Sequence, residues 1–423
     1  MELSMVFAAL GLLFKATTMY FAAVAIRWMF AKRKRWPQAA PRTRFAVVIA
    51  ARNEEAVIGR LVKSLMEQDY PRELFDVYVA PNNCTDDTAG AAFQAGAQIL
   101  SCDYPVRQKG DALRQVFCQL EGQGYDAFVI FDADNVVDMQ YLRRTNDAFC
   151  AGAQVVKGRQ MAMNPKASWV AGCYDLYFSA FDLFFNRPRA NGGLSCKLVG
   201  TGFALHQTVL EQLGGWNTQT MAEDAEFSAQ CARAGIRIGW QPEAITYDEE
   251  PVEFAVSLRQ RKRWCSGVVQ VGRRMLPELS RCSGRLAWDM LCFLLTPQLA
   301  PVSALLMAFS QLCAGNAAFS PAALAASAAG YWIGCTGLAA CLLLIERPAG
   351  RRNWRAVAMF PLFMASWLPL QLLAMFHRTT VWREIPHTGG KNHDFAEKSM
   401  SFDKIRDISN FSCYNPWSGV FIT

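Results

Sequence analysis

The sequence predicts an α/β fold in which a soluble domain is held between membrane helices. Of its 423 residues, 52% are hydrophobic and only 19% are charged, and the apolar excess falls in four segments. Each segment is about long enough to cross a bilayer or to lie deeply in it. Between the first and second segments, short β-branched and aromatic runs alternate with helical stretches, which is typical of a mostly parallel sheet. The four segments are 3–26, 287–313, 322–345 and 356–376.

The first segment predicts an N-terminal transmembrane anchor over residues 1–30. Arg27 and the basic run 32–35 follow it, whereas Glu2 is the only charged side chain before it. Because Lys and Arg collect on the cytoplasmic flank of a span, the chain should start outside. A signal peptide would carry its charges in the reverse order. We therefore expect an uncleaved anchor, a multi-pass protein of the cell membrane and a soluble domain on the cytoplasmic side.

Charge and cysteine content exclude several classes of function. The net charge is +7, but the positive residues cluster beside the apolar segments, so membrane lipids are predicted as partners and nucleic acid is not. The 14 Cys form no C-x-x-C pair and there are only 4 His. Neither a disulfide framework nor a thiolate or imidazole metal site is indicated, and a reducing compartment is expected.

The soluble α/β domain is predicted over residues 44–250. In open parallel sheets ligands bind at the carboxyl ends of the strands, so polar residues directly after a strand are the candidates for chemistry. The predicted elements are the strands Phe45–Ile49, Val77–Ala80, Phe128–Phe131 and Val155–Val156, and a helix over Glu54–Gln68.

Two strand ends carry polar motifs of low specificity. Residues 51–55 (Ala-Arg-Asn-Glu-Glu) leave the first strand and open a helix, where acidic residues ordinarily complement the helix dipole. Residues 81–88 follow the second strand, and clustered Asn, Asp and Thr commonly form turns and caps. Taken alone, either motif is compatible with a purely structural role.

The pair Asp132 and Asp134 is more specific. Both carboxylates follow the apolar strand at 127–131, and residues i and i+2 of an extended segment lie on one face. They can therefore converge on a hard divalent cation that also binds phosphate oxygens. A turn at the strand end is the alternative. Lys109 could add a positive charge for a diphosphate, against the alternative of a solvated lysine.

A fourth motif lies at 221–227, where Glu223 and Asp224 begin a short helix. A carboxylate beside a second carboxylate can have its proton affinity adjusted for general-base chemistry, although dipole complementarity again explains the pair. The region 251–285 follows and contains a basic amphipathic helix over Glu253–Met275. Its position before a membrane segment predicts a helix in the cytoplasmic interface.

In this order, the motifs resemble the family 2 glycosyltransferases, in the membrane-embedded branch of cellulose, chitin, hyaluronan and poly-N-acetylglucosamine synthases. The resemblance covers about residues 45–390 and implies a GT-A fold, a nucleotide-sugar donor and inversion at the anomeric carbon. The last motif matches the Q-x-x-R-W sequence associated with processive members. The five signatures are Arg52-Asn53-Glu54, Asn82–Thr88, Asp132-Ala133-Asp134, Glu223-Asp224 and Gln260-Arg261-Lys262-Arg263-Trp264.

The resemblance implies a role for each matching residue. Asp224 would deprotonate the acceptor hydroxyl while Glu223 positions the site. Asp132 and Asp134 would hold the donor diphosphate with Mg²⁺ or Mn²⁺. Asn82 departs from the family, which often has Asp there. The implied donor contacts are Glu54, Asn82, Lys109, Asp132, Gln260, Arg263 and Trp264, and the implied acceptor contacts are Trp264, Gly200, Thr201 and Gly202.

The C-terminal part predicts membrane helices over 286–380 and a gating loop over 381–390. Within that loop, residues 382–388 (Trp-Arg-Glu-Ile-Pro-His-Thr) resemble the segment that closes over the donor site, which must be cytoplasmic. A full crossing by 356–376 would put the loop outside. Trp354, Pro361 and Pro369 suggest a re-entrant or interfacial hairpin instead. The tail 391–423 carries no functional motif.

The predicted activity is processive transfer of a sugar, from UDP-glucose or UDP-N-acetylglucosamine, to a growing β-linked polysaccharide. The alternative is transfer of a single sugar to a lipid acceptor. A membrane-anchored scaffold with an inactive domain is disfavoured because Asp132, Asp134, Asp224 and Arg263 are all present. The few membrane segments would leave an export channel incomplete, so an oligomer or an accessory export subunit is considered.

Overall fold

The computed structural model describes residues 2–31, 35–313, 320–377 and 379. The predicted gating loop 381–390 and the tail 391–423 lie outside these residues. An eight-stranded sheet forms the centre of the domain. Its strands are β1 (Phe45–Ala51), β2 (Phe75–Pro81), β3 (Gln98–Ile99), β4 (Ala127–Phe131), β5 (Val136–Val137), β6 (Val155–Ala162), β7 (Phe203–His206) and β8 (Ile238–Asp248).

The described helices fall into two groups. Those of the α/β domain are α2 (Glu55–Met66), α3 (Thr88–Gln94), α4 (Lys109–Leu120), α5 (Tyr141–Cys150), α6 (Trp169–Phe181), α7 (Arg187–Gly192), α8 (Gln207–Leu213) and α9 (Glu223–Arg233). The long or apolar helices are α1 (Glu2–Met29), α10 (Phe254–Leu279), α11 (Arg285–Cys313), α12 (Pro321–Glu346), α13 (Trp354–Ala365) and α14 (Trp367–Phe376).

The strands run in the order β3-β2-β1-β4-β7-β6-β8-β5. The prediction of a mostly parallel sheet holds for β1 with its neighbours β2 and β4, for β2 with β3 and for β6 with β8. The antiparallel strand β7 separates these two parallel groups. The sheet is therefore mixed, and the short β7 was not predicted because it follows an irregular glycine-containing loop.

Helices cover both faces of the sheet. Alternate residues of β1 point to opposite sides, so Val48 packs in one core and Val47 in the other. The first core contains residues of α4 and α9, and the second contains residues of α2 and α5. Every residue of β1 is buried, which explains its uninterrupted apolar sequence. This packing fixes the carboxyl ends of the central strands at one edge.

Four helical stretches are long and apolar enough to cross a membrane. They are Ala9–Met29, Arg285–Leu306, Pro321–Glu346 and Trp354–Phe376. These stretches agree with the four segments predicted from hydropathy.

The fourth stretch differs from the predicted hairpin. Between α13 and α14 only Ser366 interrupts the helix, and it keeps right-handed helical angles (φ −67°, ψ −15°), so the chain does not reverse. Pro369 explains the interruption, because it cannot donate the hydrogen bond to the carbonyl four residues earlier. The guanidinium of Arg261 donates to Phe363 O at 2.9 Å and to Ser366 Oγ at 2.8 Å. The stretch is one kinked helix, and the hairpin prediction is wrong.

Hydrogen bonds at both ends connect this kinked helix to earlier parts of the chain. Before it, Asn353 Nδ2 donates to the carbonyls of Pro165 and Ser168, each at 2.9 Å. After it, Thr379 N donates to Ser266 Oγ at 2.8 Å, and Gln270 Nε2 donates to Thr379 O at 2.9 Å. The chain therefore returns to α10 just before the segment that contains the predicted gating loop.

Candidate active site

A cavity of about 470 Å³ opens beside the carboxyl ends of the strands. Its wall at the sheet is polar and contains the residues predicted for chemistry. Its opposite wall is formed by apolar side chains of α6, α10, α11 and the kinked helix. The predicted site residues that line it are Glu54, Lys109, Asp132, Asp134, Gly200, Thr201, Glu223, Asp224, Gln260, Arg263 and Trp264.

Asp132 and Asp134 leave the end of β4 and face this cavity. The backbone N–H of Asp132 donates to Thr201 Oγ1 at 3.0 Å and to Asn135 Oδ1 at 3.2 Å, which fixes the turn. The Asp132 side chain is 41% exposed, so its carboxylate can meet a ligand in the cavity. The β4 end therefore presents two carboxylates, as its sequence predicts.

Lys109 is more buried than a solvated lysine would be. It begins α4, and its Nζ lies 2.5 Å from Asp132 Oδ1, 2.6 Å from Gly200 O and 3.6 Å from Glu223 Oε1. Burial alone would lower the pKa of Lys109, but the charges of Asp132 and Glu223 raise it above its ordinary value. The lysine is therefore charged and joins the two acidic motifs.

The loop 199–202 connects Asp132 with Asp224. Gly200 has φ +62°, a conformation that favours glycine, and its N–H donates to Asp224 Oδ2 at 2.7 Å. Asp224 stands in the first turn of α9, where a negative charge also complements the helix dipole. Among the described residues no second hydrogen bond to this carboxylate is recorded. One oxygen is held by the loop while the group lines the cavity.

Glu223 is buried beside Asp224. Burial raises the pKa of Glu223 to about 7, against the opposing charge of Lys109 and with a further rise from Asp224. Glu223 therefore binds a proton near neutrality.

The Q-x-x-R-W motif lies on α10 and faces the cavity. Gln260 Oε1 accepts a hydrogen bond from Tyr174 OH at 2.7 Å. Arg263 lines the cavity, and no ion pair or hydrogen bond of its guanidinium is recorded among the described residues. Arg261, by contrast, points into the protein and is completely buried. Arg261 is therefore a structural residue, whereas Arg263, two positions later on the helix, is available to a ligand.

Trp264 stands at the boundary between the polar and apolar walls. Its ring centroid lies 6.3 Å from that of Trp367 on α14 in a stacked arrangement, and 6.0 Å from that of Tyr174 in an edge arrangement. Trp264 and Trp367 both line the cavity. They form an aromatic surface suited to the apolar face of a sugar ring or to a lipid chain.

The β1 and β2 ends are bound to each other. Asn53 Oδ1 accepts from Thr85 N at 2.7 Å, and Glu54 N donates to Thr88 Oγ1 at 2.8 Å. Asn53 has φ 54°, a left-handed conformation that Asn tolerates better than most residues. The two weak motifs therefore form one structure that holds Glu54 at the cavity.

Two predicted contact residues do not line the cavity. Asn82 is buried, with Nδ2 donating to Ala51 O at 2.9 Å and Oδ1 accepting from Arg52 Nη2, also at 2.9 Å. It holds Arg52, which does line the cavity. Gly202 pairs with neighbouring strands through Ile130 O and Gly158 N. Its φ of +62° and a Cβ position 2.9 Å from Thr246 explain the glycine by backbone packing.

Several cavity residues were not predicted. Asp248 ends β8 and Glu250 follows, so the strand-end rule could have found both. Burial raises the pKa of Asp248 well above its usual range, and the charge of Asp134 raises it further. No local pattern marked the others, because they are single residues in apolar helices or in a loop. These are Tyr177, Phe178, Phe181, Lys197, Phe293, Met364 and Trp367.

The donor set at β4 fits a hard divalent cation. Carboxylate oxygens are the ligands that Mg²⁺ and Mn²⁺ prefer, and Asp132 and Asp134 lie on one side of the cavity. Within the ranges that the structure describes, no group of three or more His, Cys, Asp and Glu side chains could hold a metal. A cation here would therefore take its other ligands from a bound phosphate and from water.

A family model described as Glycosyltransferase like family 2 matches residues 41–267. A beta-monoglucosyldiacylglycerol synthase of Synechocystis sp. is 31% identical over 290 residues, which cover 64% of this chain and 58% of that protein. Cellulose synthase 1 of Komagataeibacter xylinus is 24% identical over 259 residues, covering 59% of this chain and 16% of the synthase. The chain thus spans about three fifths of the length of the Synechocystis synthase.

Among solved structures, the mannosyltransferase PcManGT of Pyrobaculum calidifontis has a similar fold. The TM-score is 0.58 at 19% identity, and the match covers 86% of this chain and 99% of that one. That structure is a complex with GDP-Man and Mn²⁺. The likeness confirms the GT-A fold that the sequence motifs imply.

Proposed function

The chain belongs to the glycosyltransferase like family 2, and we propose that it is an inverting hexosyltransferase that moves a sugar from a nucleotide-sugar to an acceptor at the membrane. The observation that carries this proposal is the cavity itself. It joins the carboxylates and cationic groups of the strand ends and of α10 to an apolar wall from the long helices. A charged donor and a membrane-associated acceptor would each meet a matching surface.

The donor is proposed to bind at the polar wall. Arg263 and Arg52 would contact the diphosphate, and Glu54 lines the same region. Asp132 and Asp134 would hold Mg²⁺ or Mn²⁺, which when bound supplies positive charge to the leaving diphosphate. The complex of PcManGT with GDP-Man and Mn²⁺ supports a divalent cation, and it makes GDP-sugars candidates beside UDP-sugars.

Asp224 is proposed as the general base. The N–H of Gly200 orients its carboxylate, which would accept the proton of the acceptor hydroxyl as that oxygen attacks the anomeric carbon. One displacement at this carbon inverts its configuration. Lys109 would balance the charge of Asp132 and Glu223, while the guanidinium of Arg263 would stabilise the negative charge that grows on the leaving diphosphate.

A lipid acceptor is proposed over a growing polysaccharide. Val268 and Val269 of α10, Phe293 of α11 and Met364 of α13 line the far wall. Gln298 of α11 and Gln371 of α14 also line the cavity, but a hydroxyl-rich glycan would lose more hydration at this largely apolar wall than two amides could replace. An acyl chain would gain apolar contact there. The 31% identity with a beta-monoglucosyldiacylglycerol synthase supports the same choice.

Processive synthesis remains the second candidate. The stacked rings of Trp264 and Trp367 supply the observation in its favour, because aromatic rings also suit the apolar faces of sugars. The similarity to cellulose synthase agrees with it.

The α/β domain is proposed to lie on the cytoplasmic side. Asn353, just before the kinked helix, contacts the loop that precedes α6, and Thr379, just after it, contacts α10. With both ends held in this way, the kinked helix would lie in the interface without crossing. The carbonyl of Thr379 accepts a hydrogen bond from Gln270 Nε2, and Gln270 Oε1 accepts one from Met221 N near Glu223.

The direct test is incubation of the purified full chain with radiolabelled UDP-sugars and GDP-sugars in turn, with Mn²⁺ or Mg²⁺ and a bacterial lipid extract. We expect one donor to be consumed with release of its nucleoside diphosphate and with label transferred to an acceptor. Loss of that signal in Asp224→Asn, but not in the exposed-site control Asp103→Asn, would assign it to this site. Absence of turnover with every donor would contradict the proposed activity.

A further inference from the structure

One cationic side chain in the cavity has no part in the mechanism derived above. Lys197 precedes the loop that holds Asp224 and lines the cavity. Its Nζ lies 4.6 Å from the ring centroid of Phe293 on α11. In the described part of the chain, no hydrogen bond or ion pair of this ammonium group is recorded. The ammonium group is therefore available to a ligand at the point where the polar wall meets the apolar one.

The position of Lys197 relative to Asp224 matters for the acceptor. Both side chains line the cavity, and Lys197 lies three residues before Gly200, whose N–H donates to Asp224 Oδ2 at 2.7 Å. Lys109, by comparison, is already bonded to Asp132 and Gly200 and cannot serve a second anion equally well. Burial also removes water from Lys197, and a desolvated ammonium group needs an anionic or strongly polar partner. Under the proposed function, the acceptor would reach this place from the apolar side.

We propose that Lys197 binds the phosphodiester of an anionic lipid acceptor whose headgroup hydroxyl faces Asp224, while its acyl chains lie along Phe293 and the apolar wall. This inference rests on the proposed function and deepens it by naming the class of acceptor. An uncharged diacylglycerol would fill the apolar wall but leave the ammonium group without a partner. A hydroxyl-bearing phospholipid would contact the apolar wall with its acyl chains, Lys197 with its phosphodiester and Asp224 with its hydroxyl. The transfer step is unchanged: the hydroxyl oxygen bonds to the anomeric carbon, its proton passes to Asp224 and the nucleoside diphosphate leaves.

The test compares two acceptors in mixed micelles of phosphatidylcholine and detergent. Dioleoylphosphatidylglycerol is anionic and carries headgroup hydroxyls, whereas dioleoylglycerol is neutral with one hydroxyl. We expect the wild-type protein to prefer the phospholipid by about tenfold or more in kcat/KM, since a charge-assisted hydrogen bond contributes this much. Lys197→Met should reduce the preference ratio to near one, and Lys197→Arg should restore most of it. Soluble glycerol 3-phosphate should be a poor acceptor because it has no acyl chain.

Two controls separate charge recognition from packing. Phe293→Leu keeps the lysine charge and should keep the preference even if total activity falls. Lys166→Met removes an exposed lysine outside the cavity and should leave the ratio unchanged. The proposal is overturned if the wild type shows no preference for the phospholipid, if Lys197→Met slows both lipids equally, or if glycerol 3-phosphate reacts as fast as the phospholipid.

Failure of the proposed function would look different. If the donor is consumed but neither lipid is glycosylated, the lipid inference is wrong while sugar transfer stands. If no nucleotide-sugar is consumed under any condition, both are wrong.

Discussion

The two walls of the cavity are built from different parts of the chain. The polar wall comes from strand ends and helix starts, where short motifs such as Asp132-Ala133-Asp134 place their side chains together. The apolar wall is assembled from helices far apart in sequence, with Phe181 on α6, Phe293 on α11 and Trp367 on α14. The first wall follows local backbone geometry, whereas the second depends on how the helices pack.

This difference suggests how such a protein can vary its acceptor. The polar wall rests on a rigid sheet whose central strands are buried, so its geometry tolerates little change. The apolar wall consists of side chains that can be exchanged for others of similar volume without loss of the fold. We therefore expect substitutions at the polar wall to abolish chemistry, and those at the apolar wall to change acceptor affinity.

The largest effect should come from Asp224→Asn. The amide oxygen can still accept from the N–H of Gly200, so the shape is kept while the proton acceptor is lost. We expect the transfer rate to fall by about a thousandfold, a typical contribution of a general base. Donor affinity, measured by calorimetry, should remain within a few-fold. If donor affinity collapsed while transfer from bound donor stayed fast, Asp224 would be a binding residue instead.

A metal-dependent loss should follow at Asp134. Replacing Asp134 by Asn removes one of two carboxylates, and we expect turnover to fall on the order of a hundredfold while excess Mn²⁺ restores part of it. EDTA should stop the wild-type reaction, and Asp103→Asn should behave as wild type. Full activity of Asp134→Asn in chelator would exclude the metal assignment.

At the boundary between the walls, Trp264→Ala should have a smaller effect. Loss of the ring that stacks on Trp367 should raise the acceptor KM by roughly tenfold, through lost contact area. The matched variant is Trp288→Ala, because Trp288 is 58% exposed on α11 and outside the cavity. Equal losses of expression in both variants, with no change in KM, would indicate that Trp264 is only a membrane anchor.

The smallest effect concerns pH and Glu223. Because burial raises the pKa of Glu223 to about 7, the folded protein binds a proton that the unfolded chain has lost above its ordinary pKa. The contribution of this group to stability is therefore present at low pH and is lost as the pH rises through 7. The glutamine of Glu223→Gln does not titrate, so only the wild type should lose stability in this way. The Tm of the variant minus the Tm of the wild type should therefore increase between pH 5 and 8. Parallel Tm curves, measured in chelator, would contradict the shift.

The sequence predicted the polar wall well because its information is local. Two carboxylates at i and i+2 after an apolar run, or a pair at a helix start, are placed side by side by the local backbone geometry. Their placement does not depend on how the helices pack. The same rule would have found Asp248 at the end of β8. For Asn82 it was the family resemblance that implied a donor contact, but the Asn82 amide is hydrogen-bonded to Ala51 and Arg52 and does not line the cavity.

The apolar wall could not be predicted in the same way. Lys197 and Phe293 are 96 positions apart and meet only after α11 packs on the domain. The hairpin expected around Pro361 and Pro369 was wrong because the chain keeps helical angles at Ser366, and the buried Arg261 satisfies the carbonyl and hydroxyl groups there. Proline position alone does not tell a kink from a reversal.

The central claim is that a nucleotide-sugar at the polar wall is transferred to a lipid at the apolar wall. It is tested most directly by supplying radiolabelled donor to the full chain in nanodiscs of defined lipids and separating the products by solvent extraction and size. The account predicts label in a chloroform-soluble product that carries one sugar, and none after Asp224→Asn. Label in a water-soluble polymer that lengthens with donor excess would contradict the lipid acceptor and establish processive synthesis.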